Sequence, residues 1–256
     1  AESRERLMRG VTHDLKNPLG AADGYTQLLQ VGVEGELAPG QQKMLDSIRR
    51  CHAAALALIS DLLDFSRAEA GTLEMACGPA DGVEIAREAA AEYAGTARAA
   101  GHAFEAVLPD VALPCSTDHN RVMRIVGNLL SNAVKYTPAP GRIVLEARSV
   151  VSGEGSDQSH WIELCVRDTG PGIPEAERER IFDEFHRLHD GETQGHGLGL
   201  ATSRRIARLL GGDITVDAAE GGGSEFRLRL PVAAAHDGKE GWGAPGAPEH
   251  APPDPG

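Results

Sequence analysis

The chain has 256 residues, 41% of them hydrophobic and 4% aromatic, enough for one large domain or two smaller ones with an aliphatic core. Its formal net charge of −13 argues against wrapping a nucleic acid backbone. Cys51, Cys77, Cys115 and Cys165 stand far apart with no CxxC, which excludes a zinc ribbon or a disulfide framework and suits a reducing cytosol. No apolar run reaches the ~18 residues of a membrane span, and the chain opens inside a helical pattern, as expected of a fragment whose full-length protein is cytoplasmic here and anchored, if at all, further upstream.

Two helical segments come first. In the second, Met44, Ile48, Cys51, Ala55, Leu58, Leu62 and Phe65 follow one another in alternating steps of four and three, a coiled-coil heptad. Met8, Val11, Leu15, Pro18, Ala22, Tyr25 and Leu29 repeat the alternation in the first. The glycines and proline of VGVEGELAPG, residues 31–40, read as the loop between them. A hairpin with one apolar seam per helix cannot enclose a core alone, so a homodimeric four-helix bundle is expected. At 100° per residue the first seam stays within about 40° of Val11, while His13 falls at about 200° and Asn17 at about 240°, both facing outward. Pro18 lacks an N–H for the Asp14 carbonyl, so a bend is expected beside His13.

After residue 80 the pattern changes. DGVEIAREAAAEYAGTARA reads as a helix, HAFEAVL as a strand, and DHNRVMRIVGNLLSNAVKY as an amphipathic helix with Asp118 as N-cap. RIVLEARSVV and HWIELCVRD read as strands and PEAERERIF as a helix started at Pro174. LGLATSRRIARLLGG is a helix closed by Gly211 and Gly212, and DITVDA and SEFRLRLP are the last strands. The expected class is α + α/β: a helical hairpin in residues 1–71, a linker in 72–79, an α/β sandwich with a mixed sheet in 80–231, and a Pro/Gly-rich disordered tail in 232–256.

Four stretches of the sandwich carry chemistry. Asn128, Asn132, Lys135 and Tyr136 share one helix face, and amide oxygens with an ammonium suit a polyphosphate and its Mg²⁺. DTGPGIP ends a strand with Asp168, an acceptor for an adenine amine, and Gly170 and Gly172 admit backbone close to the ring. GHGLGL opens a helix, whose N-terminal N–H groups suit phosphate; it is not a dinucleotide fingerprint, because Leu200 stands where a third glycine belongs, and no P-loop pattern is present. Gly221, Gly223, Ser224 and Phe226 form the turn before the last strand. Each pattern alone is an ordinary polar face or turn; the ordered set is much harder to reach by chance.

Over about residues 3–231 that set resembles the catalytic core of bacterial sensor histidine kinases. HDLKNPL resembles the family's phosphoacceptor box, NLLSNAVKYTP its asparagine box, and DTGPGIP, FDEFHR, GHGLGLA and GGGSEF its later glycine and phenylalanine boxes. The resemblance implies a dimerisation and histidine-phosphotransfer domain followed by a Bergerat-type ATP-binding domain. It implies His13 as phosphoacceptor, Asp14 as the acid or base beside it, and Asn17 at the position linked to dephosphorylating the partner. Asn132 would ligate Mg²⁺ with Asn128 nearby, Lys135 would contact phosphate and Tyr136 adenine. Asp168 would bind the adenine amine in a pocket shaped by Gly170 and Gly172. Gly197, Leu198 and Gly199 would lie at the phosphates, at the base of a lid over roughly residues 186–196. His196 stands where Thr or Ser is common, and His186, His189 and His196 read as solvated lid residues. The implied partners are a second copy of the chain and a response regulator receiver domain, with no nucleic acid and no membrane contact by this fragment. The rival readings are another ATPase of the same nucleotide fold, as in gyrase, and a catalytically degenerate scaffold.

Overall fold

The computed structural model describes residues 17–33, 35–152, 159–188 and 197–232. His13, Asp14, His189, His196 and the tail from 233 onward lie outside the described residues, as does the part of the first helix on which the expected bend depends.

Residues 17–30 form helix α1 and Pro39–Glu69 form α2, with Pro39 in the first turn, where a missing N–H costs nothing. Gln30 Nε2 donates to Asp46 Oδ1 at 2.7 Å and Arg49 Nη1 donates to Gln30 Oε1 at 2.9 Å, which sets the antiparallel register of the hairpin. In the single chain, Tyr25, Met44, Ile48 and Leu62 of the expected seam are exposed. The residues α2 buries are others: Leu45, Leu63, Asp64 and Ala68. Its last turns lie against the second domain.

That domain begins with β1 (Gly78–Asp81), α3 (Gly82–Ala99), β2 (His102–Val107), β3 (Pro114–Thr117) and α4 (His119–Tyr136). It continues with β4 (Gly141–Ser152), β5 (Ser159–Asp168), α5 (Gly199–Leu209), β6 (Asp213–Ala218) and β7 (Ser224–Pro231). The main sheet has the order β2-β4-β5-β7-β6, with β2 parallel to β4 and the other pairs antiparallel, and β1 and β3 form a separate antiparallel pair. The expected mixed sheet is therefore present; the two short strands β1 and β3 were not foreseen. Nor is PEAERERIF an α-helix: it forms two 3-10 turns, Glu175–Glu177 and Arg180–Phe182. Ile181 and Phe182 are the only side chains of that run in the core, too few for an amphipathic face to sustain a helix.

Strand alternation gives the sheet two unlike faces. Ile143, Leu145, Ile162, Leu164, Val166, Ile214, Leu228 and Leu230 point to the helices and are buried. Helix α4 answers with Val122, Ile125, Val126, Leu129, Leu130 and Ala133, spaced along one helical face. Asp118 caps α4 as expected, accepting from Arg121 N at 3.1 Å, and also takes the N–H of Ala76 at 2.9 Å. The opposite face of the sheet carries a ladder of ion pairs. At its centre Glu163, 1% exposed, accepts from Arg148 and Arg229.

Candidate nucleotide site

The four motif stretches meet at one cavity of about 440 Å³. Helix α4 supplies Asn128, Ser131, Asn132 and Tyr136; the end of β5 and the following turn supply Asp168, Gly172 and Ile173; the start of α5 supplies Gly197, Leu198 and Gly199; β7 supplies Ser224 and Phe226. Their placement follows from ordinary helix and strand geometry. Asn128 and Asn132 are one turn apart on the face of α4 that its apolar face leaves outward.

Asp168 is the best-defined group. It is 7% exposed, and its Oδ1 accepts from Gly170 N at 2.7 Å and Ser224 N at 3.4 Å. Burial pushes its carboxyl above the usual carboxylate range, against the lowering effect of those two N–H groups. Such a carboxylate, on the wall of the cavity, is a strong acceptor for an amine on a planar ring. Gly223 packs its backbone onto the same strand end: its φ is +96°, and a Cβ there would lie 1.9 Å from the Asp168 carbonyl oxygen.

At the other end of the cavity, α5 starts at Gly199 with no described side chain capping it. Leu198, Gly199 and Leu200 line the cavity, so the uncapped start of α5 lies at its wall, an arrangement that favours an anion. Gly199 is held close to α4, since a Cβ at that position would lie 2.7 Å from Asn128 Oδ1. Asn128 itself donates from Nδ2 to Ser203 Oγ at 3.0 Å and so ties α4 to α5. The amide oxygens of Asn128 and Asn132, the uncapped helix start and the buried carboxylate fit a purine nucleotide with its phosphates and a hard divalent cation.

Three expected residues are not on the cavity wall. Lys135 turns along the surface, with Nζ 3.1 Å from the Tyr136 hydroxyl and 4.7 Å from its ring centroid. Gly170 serves the site through its N–H to Asp168 rather than by lining it. Asn17 is exposed on α1 and does not line the cavity. His186 does not behave as a solvated residue: its side chain is 18% exposed, its Nε2 lies 2.8 Å from Glu177 Oε2, and it lines the cavity with Arg187 and Leu188. It is held there because Phe185, at a left-handed φ of 58°, donates its N–H to the Gly197 carbonyl at 3.0 Å.

The far wall was not expected at all. Ala54, Ala57, Leu58 and Asp61 of α2 face the cavity, so the hairpin lies against the site. Spacing along α2 marks these residues as one helical face, but nothing local says what that face touches.

Residues 3–71 match the family described as His Kinase A (phospho-acceptor) domain, and residues 117–234 match Histidine kinase-, DNA gyrase B-, and HSP90-like ATPase. The chain carries the two domains of a histidine kinase catalytic core. Its second domain is accordingly of an ATP-binding type. The chain is 33% identical over 239 residues to the sensor histidine kinase RcsC of Salmonella typhimurium, across 92% of this chain and 24% of that protein. It is 34% identical over 232 residues to the adaptive-response sensory kinase SasA of Synechococcus sp. (strain JA-3-3Ab), across 90% of this chain and 59% of that protein. Among solved structures it is similar to full-length ShkA in complex with AMPPNP, with a TM-score of 0.69 and 29% identity over 90% of this chain and 46% of that one. The chain thus spans between 24% and 59% of the length of these two curated relatives.

Proposed function

We propose that this chain is the catalytic core of a two-component sensor histidine kinase that phosphorylates His13 from ATP and passes the phosphoryl group to an aspartate of a response regulator. The observation that carries the proposal is the convergence of Asn128, Asn132, Asp168, Gly172, Gly197 and Gly199 on one cavity with the hairpin as its far wall. A nucleotide bound there would lie beside the hairpin domain to which this reading assigns the acceptor histidine, which supports the proposal.

In this reading a neutral ring nitrogen of His13 attacks the γ-phosphorus of ATP in line. A nitrogen–phosphorus bond forms, the bond from phosphorus to the bridging oxygen of ADP breaks, and ADP leaves with that electron pair. Asp14 accepts the other ring N–H, orients the imidazole and stabilises its developing positive charge. Asp168 accepts from the adenine amine, and Tyr136 flanks the ring. The N–H groups around Gly197, Leu198 and Gly199 bind phosphate oxygens. Mg²⁺, held by Asn132 with Asn128 beside it, would neutralise phosphate charge. Lys135 joins the phosphates only by leaving Tyr136.

The exposed seam of Tyr25, Met44, Ile48 and Leu62 supports a homodimer through the hairpin. Domain limits of 1–71 and 80–231, with a linker in 72–79 and a tail in 232–256, and a cytoplasmic location complete the proposal. No described helix is long and apolar enough to cross a membrane.

The test is incubation of the purified chain with γ-labelled ATP and Mg²⁺. A histidine kinase retains acid-labile, alkali-stable label on the protein and loses it to its regulator. Free phosphate alone would show an ATPase, and neither product a scaffold.

A further inference from the structure

The buried face of α2 holds a carboxylate that the proposed chemistry does not use. Asp64 is 5% exposed. A carboxylate that deep is retained only where cations meet it. Its Oδ2 accepts from Arg121 Nη1 at 2.9 Å and from Arg124 Nη1, and the second nitrogen of Arg124, Nη2, donates to Asp61 Oδ1 at 2.6 Å. Both arginines belong to α4, at the other end of the chain's domain division. Arg205 of α5 adds a longer contact, its Nη2 donating to the Glu69 carbonyl at 3.4 Å.

The placement of this cluster connects it to the nucleotide. Arg121, Arg124, Asn128 and Asn132 succeed one another along α4 in steps of three and four and so share a face. The arginines that grip α2 are therefore a direct helical continuation of the asparagines at the cavity. On the other side, Asp61 belongs both to the ion-pair cluster and to the cavity wall. The rigid rod of α4 fixes how the asparagine face meets α2 once its N-terminal turns are pinned.

We infer that Asp61 and Asp64 are positioning residues for histidine phosphorylation: through Arg121 and Arg124 they dock the nucleotide cavity on the hairpin. The inference rests on the kinase reading above. The fork of the Arg124 guanidinium meets Asp64 and Asp61 with one nitrogen each while Arg121 adds a single bond to Asp64, so the cluster sets orientation as well as distance. Asp64, being desolvated, resists salt screening better than a surface pair.

The experiment uses the full chain and reads three quantities: radius of gyration by small-angle X-ray scattering, KM for ATP, and the rate of protein labelling at saturating ATP. Asp64→Asn should enlarge the radius, leave KM within about twofold and slow labelling about tenfold or more, as expected when reacting groups lose their mutual placement. Asp64→Glu should recover most of the rate. The paired variant Arg121→Glu/Arg124→Glu should behave like Asp64→Asn, and adding Asp61→Lys/Asp64→Lys to it should restore compactness. An Asp64→Asn protein as compact and as fast as the unaltered chain would overturn the inference. So would faster labelling, which would make the contact a brake, or a full charge swap that fails to restore compactness. Absence of label on the unaltered chain would instead defeat the kinase reading, while scattering still decides the docking contact.

Discussion

Gly223 presses its backbone against Asp168 so closely that a Cβ at 223 would sit 1.9 Å from the Asp168 carbonyl oxygen. The turn before the last strand and the end of β5 are thus one unit, and Ser224 N completes it at 3.4 Å from the Asp168 carboxylate. Gly223→Ala should displace that carboxylate, lowering the melting temperature and ATP affinity together. Gly221, with φ of +88° and open space around its missing Cβ, is the control. Gly221→Ala should cost only the left-handed backbone strain of about 1–2 kcal/mol and leave ATP affinity unchanged. Thermal melts and calorimetric ATP titrations of both variants check this; equal effects would show that close approach to Asp168 is not what position 223 requires.

Asp168→Asn should separate stability from binding. Burial raises the Asp168 carboxyl, so its contribution to stability is complete below the unfolded pKa and is lost as pH rises through the higher folded one. An uncharged amide avoids that loss, and the nucleotide-free variant should melt higher at neutral pH. Its amide nitrogen would oppose the adenine amine donor to donor, weakening ATP binding about tenfold to a hundredfold. In the unaltered chain, ATP affinity should fall on acidification before the usual carboxylate range is reached. A variant that binds ATP normally would remove Asp168 from the adenine.

Glu163 tests the ion-pair face. Burial raises its pKa, but hydrogen bonds from Arg229 and Arg148 and their charges outweigh that and hold it below the usual range. A depressed carboxylate stabilises above its unfolded pKa, and the contribution disappears as pH falls through the folded value. Glu163→Gln should cost about 1–3 kcal/mol at pH 7, because both arginines lose a charged acceptor while staying partly solvated. Urea unfolding at pH 7 and again below the carboxylate range should show the difference shrinking with acid.

If His13 is the phosphoacceptor, His13→Gln should abolish protein labelling while ATP affinity stays within about twofold, since the groups proposed to hold the nucleotide, Asn128, Asn132 and Asp168, belong to the second domain. Label that persists on this variant would transfer the acceptor role to another of the ten histidines.

His186 and Glu177 form the last test. If their 2.8 Å contact holds the cavity edge, Glu177→Gln should raise KM for ATP about threefold to tenfold with little change in the labelling rate at saturation. A fall in rate with constant KM would place the pair in the transfer step instead.

The sequence by itself determined what depends on near neighbours. Heptad steps specify the hairpin, Asp118 its place as a cap, and the turn residues the ends of the strands Asp213–Ala218 and Ser224–Pro231, because periodicity and turn chemistry are local. Motif order alone also grouped the residues that now surround the cavity. Only the tertiary structure decided that α2 forms the far wall, that Asp64 is buried between two arginines, that His186 turns inward to Glu177, and that Lys135 lies on Tyr136 rather than in the cavity. Arg124 and Asp61 are 63 positions apart in the chain, and Ser224 and Asp168 are 56 apart. A charge in a polar stretch looks solvated until its distant partner arrives, because desolvation and hydrogen bonding are set by whatever packs against it and not by its sequence neighbours.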